Sequence, residues 1–295
     1  MNYQEFIESV VSHVSECISP DKNVVVQPVL KNNGTKYDGL VIMDPILNIS
    51  PTIYLNPYYH RYLNGISMED IYEDILDTYH TYLPQSDFDI SQFVDFENAK
   101  KHIIYKLVNK EKNLELLEDI PYVDFQDLAL VFSVQISDLS EEYGTILIHN
   151  SHLNLWNIDK ETLFEIAEKN TSSLLPYSFN NFLEILEMPE EINLDIFSKP
   201  YFYLLTNDLK IHGATCIAYP GLLEHLAEVL NDNLIIIPSS IHEVLILPES
   251  SLNEDYSIED LCETIMEINE MELRDDEVLA DHPYFYQKSS KLLSY

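Results

Sequence analysis

The same start signal for a helix occurs three times in this chain of 295 residues, each time after two β-rich runs. Residues 67–71 read Ser-Met-Glu-Asp-Ile, 159–163 read Asp-Lys-Glu-Thr-Leu and 257–261 read Ser-Ile-Glu-Asp-Leu. Each offers a Ser or Asp side chain to the free N–H groups of a first helical turn. Each also puts Glu where the helix dipole favours negative charge, and then begins an apolar face. Ile71, Ile75 and Tyr79, then Leu163, Ile166 and Ala167, then Leu261, Ile265 and Ile268 carry those faces at the 3.6-residue period. Upstream lie the runs 24–30 and 37–43 around Asn33-Gly34, then 128–136 and 145–149, then 234–238 and 244–247. A helix burying one stripe and a hairpin burying one face satisfy each other. The expectation is therefore an α+β fold, mainly antiparallel sheet with packed helices, arranged as three related β-β-α units over 1–95, 96–190 and 191–295.

Further elements fill the spaces between. Residues 3–18 place Phe6, Ile7, Val10, Val14 and Cys17 on one helical side, and 222–230 follow the helix-initiating pair Pro220-Gly221. The spacing of Ile103, Leu107, Leu114 and Leu117 predicts a helix over 96–117, which would collect Lys100, Lys101, Lys106, Lys110 and Lys112. Residues 201–205 and 215–218 read as a strand pair around Thr206-Asn207-Asp208, and the Pro- and acid-rich stretch 188–200 as the internal boundary.

Charge narrows the partners. With Lys+Arg 16 against Asp+Glu 51 the formal charge is −35, so the chain repels phosphate backbones and anionic headgroups, and direct nucleic-acid or membrane-surface binding is not expected. Disorder is excluded as well, because 46% hydrophobic residues and only 6 Gly leave ample apolar surface to offset chain ordering. No run of apolar residues is long enough to cross a membrane. Glu5 and Glu8 stand where a signal peptide would carry Lys or Arg, and the widely spaced Cys17, Cys216 and Cys262 fit reduced thiols, so a cytoplasmic location is expected.

Three constellations could carry chemistry. Ser239, Ser240, His242 and Glu243 put a nucleophile, a base and a carboxylate within five residues, with Asn207 and Asp208 on a neighbouring hairpin. A hydrolase or other enzyme would use that set. Catalytic partners normally converge from separate segments, however, and no Gly-x-Ser-x-Gly elbow is present, so a hairpin turn with capped backbone is the simpler reading. His149 and His152 could ligate a metal if Asp127, Asp138 or His212 supplied a third ligand; two solvated histidines in a loop is the alternative. Asp44, Asp70 and Asp74 could gather around Mg²⁺, although 51 acids produce such clusters by chance. Gly-x-Gly-x-x-Gly and Gly-x-x-x-x-Gly-Lys are both absent, so no cofactor is expected.

The acids are most concentrated over 254–281, where Glu254, Asp255, Glu259, Asp260, Glu263, Glu267, Glu270, Glu272, Asp275, Asp276, Glu277 and Asp281 face a single Arg274. Apolar Cys262, Ile265, Met266 and Ile268 interleave with them, which predicts a folded amphipathic helix with Glu259, Glu263, Glu267 and Glu270 outward.

Ile53-Tyr54-Leu55-Asn56 with Tyr62 and Gly65, Asn109 with Glu111, Asn113 and Pro121, Asp127-Leu128-Ala129, Leu204-Leu205-Thr206-Asn207 with Gly213-Ala214, and the run Ile237-Pro238-Ser239-Ser240-Ile241-His242-Glu243-Val244 together form a pattern. In these motifs the chain resembles, over nearly its whole length, an uncharacterised bacterial domain of unknown function found in Gram-positive gut bacteria and often associated with mobile elements. Its last third is also similar to a second uncharacterised Gram-positive family, in which other polar residues replace the Ser, His and Glu. The resemblance implies no activity. Charge then leads to an expectation of a non-enzymatic acidic protein engaging a basic protein surface, in its most specific form a nucleic-acid mimic acting against a defence enzyme.

Overall fold

The computed structural model describes residues 1–83, 89–136, 144–181, 202–252 and 257–295. They group into two compact units, one containing Met1–Lys31 and Thr35–Ser91, the other Asn32–Gly34, Gln92–Ile136 and Thr145–Tyr295.

In the first unit, helix α1 (Tyr3–Cys17) is followed by strands β1 (Asn23–Leu30), β2 (Lys36–Met43) and β3 (Thr52–Tyr54), then by α2 (Leu55–Leu63) and α3 (Met68–Tyr82). The strands form an antiparallel sheet in sequence order. One core holds it together: Phe6, Val10 and Val14 of α1 meet Leu40 and Ile42 of β2, Ile53 of β3 and Ile71, Ile75 and Tyr79 of α3. The expected apolar face of α3 is therefore the buried one.

The second unit contains two sheets. In the smaller, β4 (Ile103–Asn109) and β5 (Tyr122–Phe125) flank β6 (Leu128–Ile136), and β7 (Gly144–Leu147) also pairs with β6. Helices α4 (Asn150–Trp156) and α5 (Lys160–Leu174) follow. The larger sheet has six strands in the order β13-β12-β10-β11-β9-β8: β8 (Tyr177–Asn181), β9 (Tyr203–Asn207), β10 (Leu234–Ser240), β11 (Glu243–Pro248), β12 (Tyr284–Gln287) and β13 (Leu292–Ser294). Helices α6 (Leu222–Leu230) and α7 (Ile258–Glu272) complete it, with Leu261 and Ile265 of α7 packed on Ile235, Ile237 and Leu247. Every pairing in both sheets whose register is defined is antiparallel, so the architecture is α+β.

The three helix starts are where the sequence places them. Ser67 accepts a hydrogen bond from Asp70 N, Asp159 from Thr162 N and Ser257 from Asp260 N, and at Ser257 the Asp260 carboxylate returns the bond to complete a capping box. A pair of neighbouring strands precedes each. Pro238 is tolerated inside β10 because the register shifts between Pro238 and Ser240 on the bulged end of that strand.

Two expectations are corrected. The segment expected as a helix over 96–117 contains β4, so the five lysines do not share a helical face. Lys106 lies on the strand, Lys100 pairs with Glu97, and Lys110 pairs with Asp124 at 2.7 Å. Ile103 and Leu107 are four apart and fit either period, while Ile103, Ile104, Tyr105, Leu107 and Val108 are all buried, which erases the alternation that identifies a strand. The second correction concerns 215–218, which belongs to a 3-10 helix, Gly213–Ala218. Its small residues press against β9 and the β10–β11 turn: a Cβ added to Gly213 would stand 2.1 Å from Thr206 Oγ1 and 2.4 Å from the His242 carbonyl oxygen. The boundary expected at 188–200, and Asp138, Glu254 and Asp255, lie outside the described residues.

The exposed edge of β4 is closed in an unusual way. Tyr105 N donates to Thr171 Oγ1 of α5, and Leu107 N donates to Thr215 Oγ1 of the 3-10 helix, both at 3.0 Å. Side-chain hydroxyls thus take the place of a neighbouring strand.

Candidate functional site

The segment Ser239 to Glu243 spans the turn of the β10–β11 hairpin, with Ile241 and His242 between the two strands. Ser240 Oγ accepts from His242 N at 3.0 Å, and Ser239 Oγ donates to Glu243 Oε1 at 3.4 Å. His242 Nδ1 accepts from His212 N at 3.2 Å, leaving Nε2 3.9 Å from Glu277 Oε1. The turn is also held from outside. Thr206 Oγ1 donates to the His242 carbonyl, Ile241 N donates to the Glu277 carbonyl, and Ala214 N donates to the Ile241 carbonyl.

Asn207, fully buried, organises the adjacent loop by accepting from Leu209 N and Ile211 N and donating to the Ile211 carbonyl. Asp208 is exposed on that loop, and no hydrogen bond or ion pair joins it to His242. The structure therefore brings His242 to His212 and Glu277, and gives the serines backbone and local partners. These side chains hold a turn, with Ser239 Oγ on Glu243 and Ser240 Oγ on His242 N, and no serine oxygen is bonded to His242 Nε2 among the described residues.

His149 and His152 come together at the start of α4. His149 Nδ1 lies 2.6 Å from Asp119 Oδ2, and His152 Nδ1 accepts from His149 N at 3.0 Å, which fixes the neutral His152 tautomer with its proton on Nε2. Burial, then the neighbouring His149, holds His152 below the ordinary histidine value. Of the proposed third ligands, Asp127 is bonded to His282, and His212 stacks on His242. Asp44 pairs with Lys22, Asp70 accepts from the Ser67 hydroxyl in the first turn of α3 and Asp74 pairs with Arg61, so these three acids are engaged separately. Among the described residues no group of three His, Cys, Asp or Glu side chains is placed to hold a metal ion. The cysteines are free thiols, and burial pushes the Cys216 thiol up to about 12.

The acidic helix is α7. Its cap and its buried Leu261 and Ile265 fix which side faces the sheet, and Glu259, Glu263, Glu267 and Glu270 are exposed on the other. None of these four takes part in an ion pair among the described residues, whereas Arg274 just beyond the helix is held by Asp276 and Glu277. Met266 and Met271, 42% and 73% exposed, border the acidic stripe.

One polar site has no counterpart in the sequence reading. Asp127 Oδ2 meets His282 Nε2 at 2.9 Å, and Tyr284 OH donates to Asp127 Oδ1 at 2.7 Å. His282 Nδ1 lies 3.2 Å from the Pro283 carbonyl, so both ring nitrogens face acceptors and the imidazolium is favoured. The hydrogen bond to Asp127 raises the His282 value above that of an ordinary histidine, against burial. Burial pushes the Asp127 carboxyl up, but the bonds from His282 and Tyr284 together outweigh it and leave Asp127 below the usual carboxylate value. Tyr284 is raised by burial and then by Asp127. Asp127 and His282 are 155 positions apart, so no spacing marks the pair.

Among the described residues no helix is long and apolar enough to cross a membrane. No curated protein and no solved structure matches the chain. One family model spans it from Tyr3 to Gln287 and one residue beyond, 3–288, and so takes in the hairpin turn, the acidic helix and the Asp127–His282 pair alike: the chain belongs to the family of unknown function DUF5688.

Proposed function

We propose that the outward face of α7 binds a basic protein surface. The observation that carries this reading is the stripe Glu259, Glu263, Glu267 and Glu270, exposed on one rigid, capped helix and free of ion pairs among the described residues. A protein of formal charge −35 steers a cationic partner from a distance, and a stripe of unneutralised carboxylates gives that attraction a docking face. Met266 and Met271 at its borders add adaptable apolar contact area.

Charge density separates this reading from imitation of a duplex. Carboxylates four residues apart on a helix recur about every 6 Å, whereas double-stranded DNA carries a charge about every 1.7 Å. One helix is too sparse to stand in for a duplex. Mimicry directed against a defence enzyme, which an association with mobile elements would suit, needs further rows of acids beside α7.

The test reverses the stripe. Glu259, Glu263 and Glu267 to Lys together change the formal charge by +6, from −35 to −29. Partner recovery in pull-downs from a bacterial lysate should fall for the triple variant and fall with salt for the wild type, since the Debye length is about 8 Å at physiological ionic strength. The melting midpoint should stay equal or rise slightly as repulsion along the stripe is relieved. Equal, salt-insensitive recovery by both proteins would remove the reading.

A further inference from the structure

On the face of the six-stranded sheet opposite α7, a cleft of about 280 Å³ lies between the β5–β6 turn, the first turn of α6 and the β12–β13 hairpin. The opposition follows from pleating: Ile235 and Ile237 point to α7, and Tyr286, paired with Leu234, points into the cleft. Phe125, Leu223, Tyr286 and Leu293 supply apolar walls. At the rim, Glu224 of α6 forms an ion pair with Lys291, the two side chains being 38% and 60% exposed. Burial, then the Glu224 carboxylate, raises the Tyr286 phenol. Gln126, Gly221 and Lys291, which line the cleft, all hold left-handed backbone, with φ of 57°, 74° and 56°.

We propose that this cleft binds a free α-amino acid with an apolar or aromatic side chain, its ammonium on Glu224, its carboxylate on Lys291, and its side chain against Phe125, Leu223, Tyr286 and Leu293. A molecule carrying an ammonium and a carboxylate on one carbon inserts between Glu224 and Lys291 and exchanges one exposed ion pair, a weak interaction, for two charge-assisted contacts. A ligand with a single charge would satisfy one rim residue and strip the other of its partner. The field of a chain at −35 repels a plain carboxylate, but a zwitterion carries no net charge and is not repelled. Size agrees, since about 280 Å³ accommodates one amino acid of leucine or phenylalanine bulk.

The experiment uses the full chain, calorimetric titration and thermal melts. The probes are L-phenylalanine, L-leucine, glycine, 3-phenylpropanoate, which lacks the amine, and phenethylamine, which lacks the carboxylate. L-Phenylalanine and L-leucine should bind and raise the melting midpoint. 3-Phenylpropanoate and phenethylamine should bind about tenfold more weakly or worse, the scale of one lost charge-assisted contact, and glycine, which keeps both charges but has no side chain for the apolar walls, should also bind about tenfold more weakly or worse. Glu224→Gln and Lys291→Met should each weaken L-phenylalanine binding by a similar factor. Melts without ligand establish that each variant is folded, and Leu293→Trp, which fills the cleft and keeps the ion pair, should abolish binding. No binding of L-phenylalanine at about 10 mM overturns the proposal. So does 3-phenylpropanoate or phenethylamine binding as tightly as L-phenylalanine, or undiminished binding by folded Leu293→Trp.

Discussion

Asn33 and Asn113 hold each other twice: Asn33 N donates to Asn113 Oδ1 at 2.9 Å, and Asn113 Nδ2 donates to Asn33 Oδ1 at 3.0 Å. The same Nδ2 donates to Asn32 Oδ1 and to the Asn109 carbonyl, so one side-chain amide, on a residue 1% exposed, meets three acceptors. Around it Asn33 Nδ2 donates to the Asp275 and Val278 carbonyls and Asn109 Nδ2 to the Leu279 carbonyl. Asn113→Ala should cost about 3 kcal/mol in urea unfolding, because it leaves several buried groups without partners. Asn113→Asp, nearly the same shape, should cost at least as much, since it turns the donor into an oxygen facing three oxygens. An Asp variant as stable as wild type would show that the donor is not what matters.

The Asp127–His282 pair makes stability depend on pH in a defined direction. His282 is raised above its ordinary 6.5, so its contribution is complete below that value and fades as pH climbs through the folded value. Asp127 lies below its ordinary 3.8, so its contribution is complete above that value and is lost as acid approaches the folded one. The pair therefore stabilises fully between these ordinary values. Asp281, Tyr284 and Tyr295 are the other titratable groups near it. The melting-midpoint gap between wild type and His282→Asn should be widest near about pH 5.5 and shrink toward about pH 9. A gap that is constant over that range would rule out titration of His282 as its source.

The cap of α7 can be tested apart from any binding. Ser257→Ala removes the oxygen that accepts from Asp260 N and should lower stability by about 1 kcal/mol. Partner recovery should not change, because Ser257 lies at the helix start and not on the stripe of Glu259, Glu263 and Glu267. An unshifted melt would mean the cap carries no weight.

Thr171 and Thr215 offer a fourth stability test. Thr→Val at either keeps the shape and removes the oxygen that satisfies Tyr105 N or Leu107 N. Each should cost about 1–3 kcal/mol, the penalty for an orphaned buried amide. Hydrogen exchange should also speed at the matching residue: Tyr105 in Thr171→Val, Leu107 in Thr215→Val. Acceleration at neither amide would show that water replaces the hydroxyl freely.

What the sequence reveals here is what is local. Ser67, Asp159 and Ser257 announce their helices because a cap, a first-turn acid and an apolar face lie within five residues. The acidic face of α7 is readable for the same reason: Leu261 and Ile265 fix the buried side and thereby the outward one. β4 is not readable, because burial on both faces removes the alternation by which Ile103 to Val108 would declare a strand. The 3-10 helix at Gly213 is set by the approach of Thr206 and His242, a tertiary fact. Asp127 and His282 meet only once the sheets have formed.

The hydroxyl closure of β4 also has an order in time. Thr171 follows Tyr105 by 66 residues and Thr215 follows Leu107 by 108. At about 5–20 residues per second, the ribosome delivers the second hydroxyl roughly 5–20 s after the amide it must cover. During that interval the nascent strand presents bare donors to any neighbouring chain, and other chains emerging from the same message are the most abundant of these. Cotranslational aggregation of this chain should therefore concentrate before residue 215 has left the exit tunnel, and a holdase chaperone captured on stalled chains should crosslink near β4 in chains that end before Thr215 and not in those that extend well past it.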